Sequence, residues 1–392
     1  MFAFHPPRSR ANLAIATMTL VIVVAVVVVV LAVGVAFVTV NHNKSGNTTA
    51  TSGFAGYPSS LPSLTINVEG SSLMYIVFLA WLRNFTHQYS NVQLDVDGGG
   101  SGLGEQDIEA GLVQIGTSDA FLFNQTQQQY PWILDIPLAV SAQQVNYNLP
   151  GIPSSMHLNF SGPVLAQIYN GSIQYWNDPR LVAINPAAAS LLPHQLITPL
   201  HRADGSGDTF IFTSYLSQTD PWWKQNVGNG LLVTWPALAS AEAESGNSGM
   251  ELACEQTNYS IAYIGISYLA SAEELHLGYG YLQNAAGNFV NISATNIQAE
   301  LSAFTSHVPN DERISMIDGP GANAYPIVNF EYALVSKNQT NPSVTQDVKT
   351  FLKWAADPNN GNSPYYLNFA NFQPLPPSVY QLTLTQINEI GS

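Results

Sequence analysis

The stretch 201-HRADGSGDTF-210 decides how this chain folds. It holds one arginine, two aspartates, the hydroxyls of Ser206 and Thr209, and two glycines. The residues 195-QLITPLH-201 leading into it read as a strand. Those following read as a helix from near Asp208 to Leu216. The segment is therefore a strand, a tight turn and a helix, with a serine where the helix begins.

The same unit occurs twice more. In 64-LTINVE-69 the apolar Leu64, Ile66 and Val68 alternate with polar residues, Gly70-Ser71-Ser72 follow, and a helical pattern runs from Leu73 to Phe85. In 92-VQLDV-96 the alternation returns, followed by Gly98-Gly99-Gly100-Ser101-Gly102 and a helix near Leu103 to Leu112. Strands alternating with helices predict an α/β fold. No internal repeat is visible, and the residues beyond 62 exceed what one hydrophobic core usually supports, which predicts two lobes.

A serine at a helix start has chemical meaning. The first N–H groups of a helix lack intrahelical partners, and the peptide dipoles put partial positive charge there. Taken alone, Ser72, Ser101 and Ser206 each read as a cap that satisfies one such donor. The adjoining glycines add a second reading, because they let a ligand approach the backbone and let successive N–H groups face one concavity. If the three ends converge in a cleft, they form an oxyanion site. Arg202 adds a bidentate donor, and Asp204, two residues on, is placed to orient it. The alternative for this pair is a solvent-facing ion pair.

The segment 113-VQIGTSDAFL-122 ends a short strand at Ser118-Asp119, where an aspartate either caps a turn or faces the cleft. A carboxylate beside an anion is productive only if the anion carries a proton for it to accept. Phosphate carries one at ordinary pH and sulfate does not.

Composition excludes other classes. Charged residues make up only 9% of the chain, against about 25% in ordinary soluble proteins, and acidic residues outnumber basic ones 26 to 11. With no basic stripe to neutralise phosphates, a nucleic-acid partner is not expected. So few charges fit an acidic exterior, or simply a polar surface rich in Asn, Gln, Ser and Tyr. The eight histidines are scattered without metal-ligand spacing, so no metal or cofactor is expected. Cys254 is the only cysteine, which excludes an internal disulfide and predicts a buried, inert thiol. The pair Trp222-Trp223 reads as packing rather than as a sugar platform.

The N-terminus predicts attachment. Leu13 to Val40 is an uncharged apolar run preceded by Arg8 and Arg10. At about 1.5 Å per residue it reaches roughly 40 Å, enough to cross a bilayer with tilt. It is longer than a secretory h-region and lacks a convincing cleavage site, so it reads as a retained single-pass helix with the following residues outside. Residues 41–62 are polar and Gly/Pro-containing, as in a flexible tether. About nine Asn-x-Ser/Thr sequons, among them those at Asn84, Asn124, Asn159, Asn258, Asn291 and Asn338, fit a glycosylated surface protein.

Several long motifs in order carry a family resemblance. HRADGSGDTFIFTSYLS, GTSDAFL, the segment from NLPG to NDPRL (148–181), YPIVNFEYALV (325–335) and FLKWAADPNNG (351–361) resemble the phosphate-binding proteins (PstS type) of high-affinity phosphate ABC importers, over nearly all of residues 63–392. The resemblance implies a type II periplasmic-binding-protein fold, with two α/β lobes joined by a two-crossing hinge. On that reading residues 1–12 are a short inside segment, 13–40 the anchor, 41–62 the linker, 63–141 with 325–392 lobe I, and 142–324 lobe II.

It further implies a phosphate site made by Ser72, the N–H of Leu73, Ser101, Asp119, Arg202, Ser206, the N–H of Gly207, and Asp208, with Asp204 supporting Arg202. Leu73 stands where an aromatic residue is frequent, and Asp208 where many members carry threonine. A second carboxylate at 208 can take a second proton from the singly charged ion but adds repulsion at neutral pH. The implied role is capture without catalysis, with delivery to a membrane permease driven by an ATPase, by a monomeric outer part. The competing roles are binding of another oxyanion, a surface or adhesion glycoprotein with an idle site, and a phosphatase. The last lacks a Gly-x-Ser-x-Gly elbow around Ser101 or Ser206.

Overall fold

The computed structural model describes residue 54 and residues 56–392. The anchor expected at 13–40 lies outside the described residues, as does most of the tether. Among the described residues no helix is long and apolar enough to cross a membrane. Phe54–Ser392 form one compact unit.

The elements that matter to the site follow the expected alternation. They are β1 (Leu64–Gly70), α1 (Tyr75–Gln88), β2 (Val92–Asp97), α2 (Ser101–Glu109), β3 (Ile115–Ser118), β4 (Ile133–Tyr147), β5 (Thr198–Arg202), α3 (Gly207–Thr219), β6 (Glu242–Glu244), α4 (Gly246–Gln256), β7 (Ser260–Gly265), β8 (Met316–Ile317), β9 (Ile327–Ser336), α5 (Pro342–Ala356) and α6 (Pro377–Glu389). Several boundaries move by one to three residues: α2, expected near Leu103 to Leu112, is Ser101–Glu109, and α3 runs past Leu216 to Thr219. Met74 still precedes the helix that was expected to start at Leu73, and the third strand starts at Thr198 rather than Gln195.

The sheet runs β2-β1-β3-β9-β4-β7-β5-β6. β1 lies between parallel β2 and β3, and β5 between parallel β7 and β6. The two parallel sets are joined by antiparallel β9 and β4. β4 is the connecting element. Its first part, Ile133–Ala142, pairs with β9, and its last five residues, Gln143–Tyr147, pair with β7. All of its fifteen residues are buried, and at about 3.3 Å per residue only a strand of this length serves both sets.

Layers of helices cover the first set. α1 buries Val77, Phe78, Trp81 and Phe85, the i, i+1, i+4, i+8 positions of one face. Phe78, Trp81 and Phe85 pack by their rings against Phe351 of α5, and Phe85 also meets Trp354. The Trp81 indole N–H donates to Gly361 O at 2.8 Å, so the polar edge of that ring is satisfied inside the core. Trp223 is fully buried and Trp222 is 46% exposed, so only the first serves as core. Cys254 is buried, and burial pushes its thiol up to about 12, consistent with an inert side chain.

In parallel sets of this kind, loops following the strand ends face one side of the sheet. β1, β3 and β5 all send their C-terminal ends into the same region, where the helices α2, α3 and α4 begin.

Candidate functional site

The site begins with a backbone constraint at the end of β1. Gly70 adopts φ +139°, and a Cβ there would lie 2.1 Å from Thr117 O of β3, so only glycine allows this turn. Ser71 is thereby pressed against β3, with its N–H donating to Thr117 O at 3.0 Å and to Thr117 Oγ1 at 2.8 Å. Its hydroxyl accepts from the N–H groups of Leu73 (3.2 Å) and Met74 (2.9 Å) and donates to Asp119 Oδ1. Ser71, not Ser72, therefore plays the capping part. Ser72 is free of that task, and its Oγ accepts from the backbone N–H and the side-chain amide of Asn247, each at 3.1 Å.

The second turn delivers Ser101 as the first residue of α2. Its Oγ donates to Asp119 Oδ2 and accepts from the Asp119 N–H, both at 3.2 Å. The Gly102 N–H donates to Gly205 O at 2.9 Å, which ties the start of α2 to the turn before α3. Ser206 caps α3, its Oγ accepting from Thr209 N–H at 3.3 Å. Gly207 follows, against Asp119: a Cβ at 207 would stand 2.6 Å from Asp119 Cβ. All nine residues singled out in the sequence, Ser72, Leu73, Ser101, Asp119, Arg202, Asp204, Ser206, Gly207 and Asp208, are thus brought into one connected cluster.

Arg202 lies at its centre, with a side chain only 1% exposed. Its Nε donates to Asp204 Oδ1 at 2.7 Å and its Nη2 to Asp204 Oδ2, a bidentate pair, while Nη1 donates to Asp208 Oδ2 at 3.2 Å. The pair with Asp204 is not the solvent-facing one that local sequence allows. The backbone N–H of Arg202 is held by the Tyr263 hydroxyl at 2.9 Å.

Four residues escaped the sequence reading. Asn247, at the second position of α4, donates from Nδ2 to Asp208 Oδ2 at 2.6 Å and accepts at Oδ1 from Gly265 N–H at 2.8 Å, in addition to its bonds with Ser72. Gln143 of β4 donates to Asp208 Oδ1 at 3.1 Å. Ser71 and Glu331 both engage Asp119. Signals existed: 245-SGNSG-249 is a fourth glycine-serine turn opening a helix, and Gln143 and Glu331 are polar residues inside otherwise buried strands.

The electrostatics follow from burial. Burial raises Asp119, and hydrogen bonds from Glu331 and Ser71, the charge of Arg202 and the Ser101 hydroxyl oppose that rise. Asp208 is pushed up to about 7 by burial and by the charge of Asp119, against the pull of Arg202, Asn247 and Gln143. Burial works against the charge of Arg202, but Asp204 and Asp208 outweigh it and hold the guanidinium protonated. The cluster therefore offers hydroxyls, helix-start N–H groups and one cation, arranged around an acceptor, Asp119. Such a set suits an anion that has a proton to donate.

Comparison with known proteins agrees with this geometry. The PBP superfamily domain matches residues 44–359. The chain is 34% identical over 344 residues to the phosphate-binding protein PstS of Methanocaldococcus jannaschii, covering 84% of this chain and 87% of that one. To PstS of Haemophilus influenzae it is 34% identical over 291 residues, covering 74% and 84%. The fold is similar to the crystal structure of the phosphate-binding protein from Stenotrophomonas maltophilia, with a TM-score of 0.60, 16% identity, and 82% and 93% of the two chains covered.

Proposed function

This chain belongs to the PBP superfamily, among the PstS-type phosphate-binding proteins, and from that premise we propose that its buried polar cluster captures inorganic phosphate for delivery to an ABC permease. The observation that carries the reading is Asp119, a buried acceptor set among the hydroxyls of Ser71 and Ser101, the start of α3 and the charge of Arg202. Phosphate presents a hydroxyl to Asp119 and unprotonated oxygens to Ser72, Ser101, Ser206, Arg202 and the N–H groups of Leu73 and Gly207. Sulfate, having no proton, sets oxygen against carboxylate and is rejected.

Binding exchanges internal bonds for ligand bonds. Ser72 gives up Asn247, Leu73 gives up Ser71, and Arg202 turns Nη1 from Asp208 to the ligand, while Asp204 keeps the guanidinium oriented. Helix starts supply positive potential that the acidic surface lacks, so selectivity is local rather than steered at long range. The role is capture without chemical conversion of the ligand. Residues 63–141 with 325–392 form one lobe and 142–324 the other, and closure between them buries the ion. The outer part is a monomer held outside the cell by the apolar run at 13–40, glycosylated, in an acidic setting, with an ATPase-driven permease as partner.

Isothermal titration of the full-length chain with inorganic phosphate and with sulfate tests this. The expected result is binding of phosphate and not sulfate, lost in Arg202→Ala. Preference for sulfate or another oxyanion, or binding of neither, would replace it with the oxyanion or idle-site readings. Turnover of a chromogenic phosphomonoester that Ser206→Ala abolishes would replace it with the phosphatase reading.

A further inference from the structure

A second acid stands behind Asp119. Glu331 belongs to β9, in the largely apolar run 327-IVNFEYALVS-336, and is fully buried. Tyr332 pairs with Ser118 across antiparallel β9 and β3, and the ladder ends there, with Glu331 and Asp119 the next residues beyond that last pair. The β9–β4 register slips between Glu331 and Tyr332, a bulge of the kind that re-aims a side chain beside a functional site.

The surroundings of Glu331 are specific. Its Oε1 accepts from the Ser141 hydroxyl and from Asn329 Nδ2 at 3.0 Å. The same Asn329 amide donates to Asp119 O at 2.8 Å, which fixes the two acids relative to one another. Glu331 Oε2 receives no hydroxyl, amide or backbone N–H. Its carboxyl instead interacts with that of Asp119, each acid acting on the ionisation of the other. Two neighbouring carboxyl groups attract only when one carries a proton, since like charges repel. Donors decide which one. Asp119 has Ser71, Ser101 and the charge of Arg202 to support its anion, whereas Glu331 has Ser141, Asn329 and the repulsion of Asp119 itself.

Building on the phosphate reading above, we infer that Glu331 is a positioning residue for recognition: protonated, it donates to Asp119 and keeps that carboxylate ionised and turned toward the hydroxyl of the ligand. Without this donor Asp119 takes up a proton at higher pH, becomes a donor itself and can no longer accept from phosphate. Glu331 thus carries phosphate capture further into acid than Asp119 alone allows. The charged and titratable groups facing the pair are Arg202 from β5, Asp208 from α3 and Tyr332 from β9, and none of them offers Asp119 this proton.

The test is isothermal titration of the full-length chain with inorganic phosphate from about pH 4 to 8, on wild type, Glu331→Leu and Glu331→Gln. Glu331→Leu, which has no donor, should move the acid limb of the affinity profile up by about one pH unit, the worth of one hydrogen bond to a charged group. Glu331→Gln, whose amide restores a donor, should return the limb to its wild-type place. Infrared difference spectra of wild type against Glu331→Gln near neutral pH should show the loss of one protonated-carboxyl stretch, a result that does not depend on binding or on Glu331→Leu folding. An unmoved acid limb in Glu331→Leu, or no lost stretch in Glu331→Gln, overturns the inference. A wild type that binds no phosphate at any pH overturns the functional reading instead, and the infrared result still decides the proton.

Discussion

Arg202 Nη1 donates to Asp208 Oδ2 at 3.2 Å, with both side chains 1% exposed, so the one cation of the site is engaged by a carboxylate of the site itself. An incoming anion must compete with Asp208 for that guanidinium. The outcome depends on whether Asp208 is charged.

Because Asp208 sits near pH 7, it is neutral below that value and anionic above it. A neutral Asp208 releases Arg202 and offers a proton, whereas an ionised one repels phosphate. Phosphate affinity of the wild type should therefore fall as pH rises through about 7, and Asp208→Asn should flatten the fall and bind about tenfold tighter near pH 8, one pKa unit being worth that factor. Calorimetric titrations at a series of pH values check this. A steeper fall in Asp208→Asn would speak against it.

Removing the cation exposes the cost of the acids around it. Arg202→Ala leaves Asp204 and Asp208 without their partner in a buried site, which should destabilise the fold by about 3–5 kcal/mol near neutral pH. Urea unfolding measures it. Arg202→Lys should recover part of the stability but little phosphate affinity, since an ammonium cannot make the bidentate pair with Asp204.

Gly207→Ala probes the close approach of α3 to Asp119. The added Cβ, 2.6 Å from Asp119 Cβ, forces the two apart. Phosphate affinity should drop at least about tenfold, because a misplacement of this size disturbs every donor around the ion. A variant with unchanged affinity would mean that Asp119 and the start of α3 do not act on the same ligand.

Buried acids away from the site predict how stability follows pH. Asp135 and Glu312 are each pushed up to about 8, by burial first, with hydrogen bonds from Leu122 N–H to Asp135 and from Gln386 and Thr383 to Glu312 opposing it. Unfolded, they titrate near about 4. Between those values the folded protein holds protons that the unfolded chain has released. Their contribution is fully present below about pH 4 and is lost as pH rises toward about 8, with a slope of up to about 1.4 kcal/mol per pH unit for each group. Urea unfolding should show greater stability at pH 5 than at pH 8, with the slope reduced in Asp135→Asn or Glu312→Gln. Stability that peaks near neutral pH and collapses by about pH 3 would contradict both this and the acidic setting.

What the sequence made legible was local. The turns before α2 and α3 could be read because Ser101 and Ser206 stand beside glycines within a few residues of their strands. Ser71 was missed by one position: which serine caps depends on how tightly Gly70 turns against Thr117, a contact between residues 47 apart. Gln143 and Glu331 were missed because their relation to the site is made by sheet order, with β9 and β4 between the two parallel sets, and nothing in a local window encodes that. The alternation in 64-LTINVE-69 could be read because the pleat dictates it. The fully buried β4 shows no such alternation, and its polar Ser141, Gln143 and Asn146 are explained only by what they reach.

The central claim is that one carboxylate reads the proton of the ligand, and its most direct measurement is the ratio of phosphate to sulfate affinity in wild type and Asp119→Asn, determined by calorimetry on the full-length chain. The account predicts that the substitution removes the acceptor, weakens phosphate and admits sulfate, shrinking the ratio by at least about a hundredfold. A ratio unchanged in Asp119→Asn would contradict it.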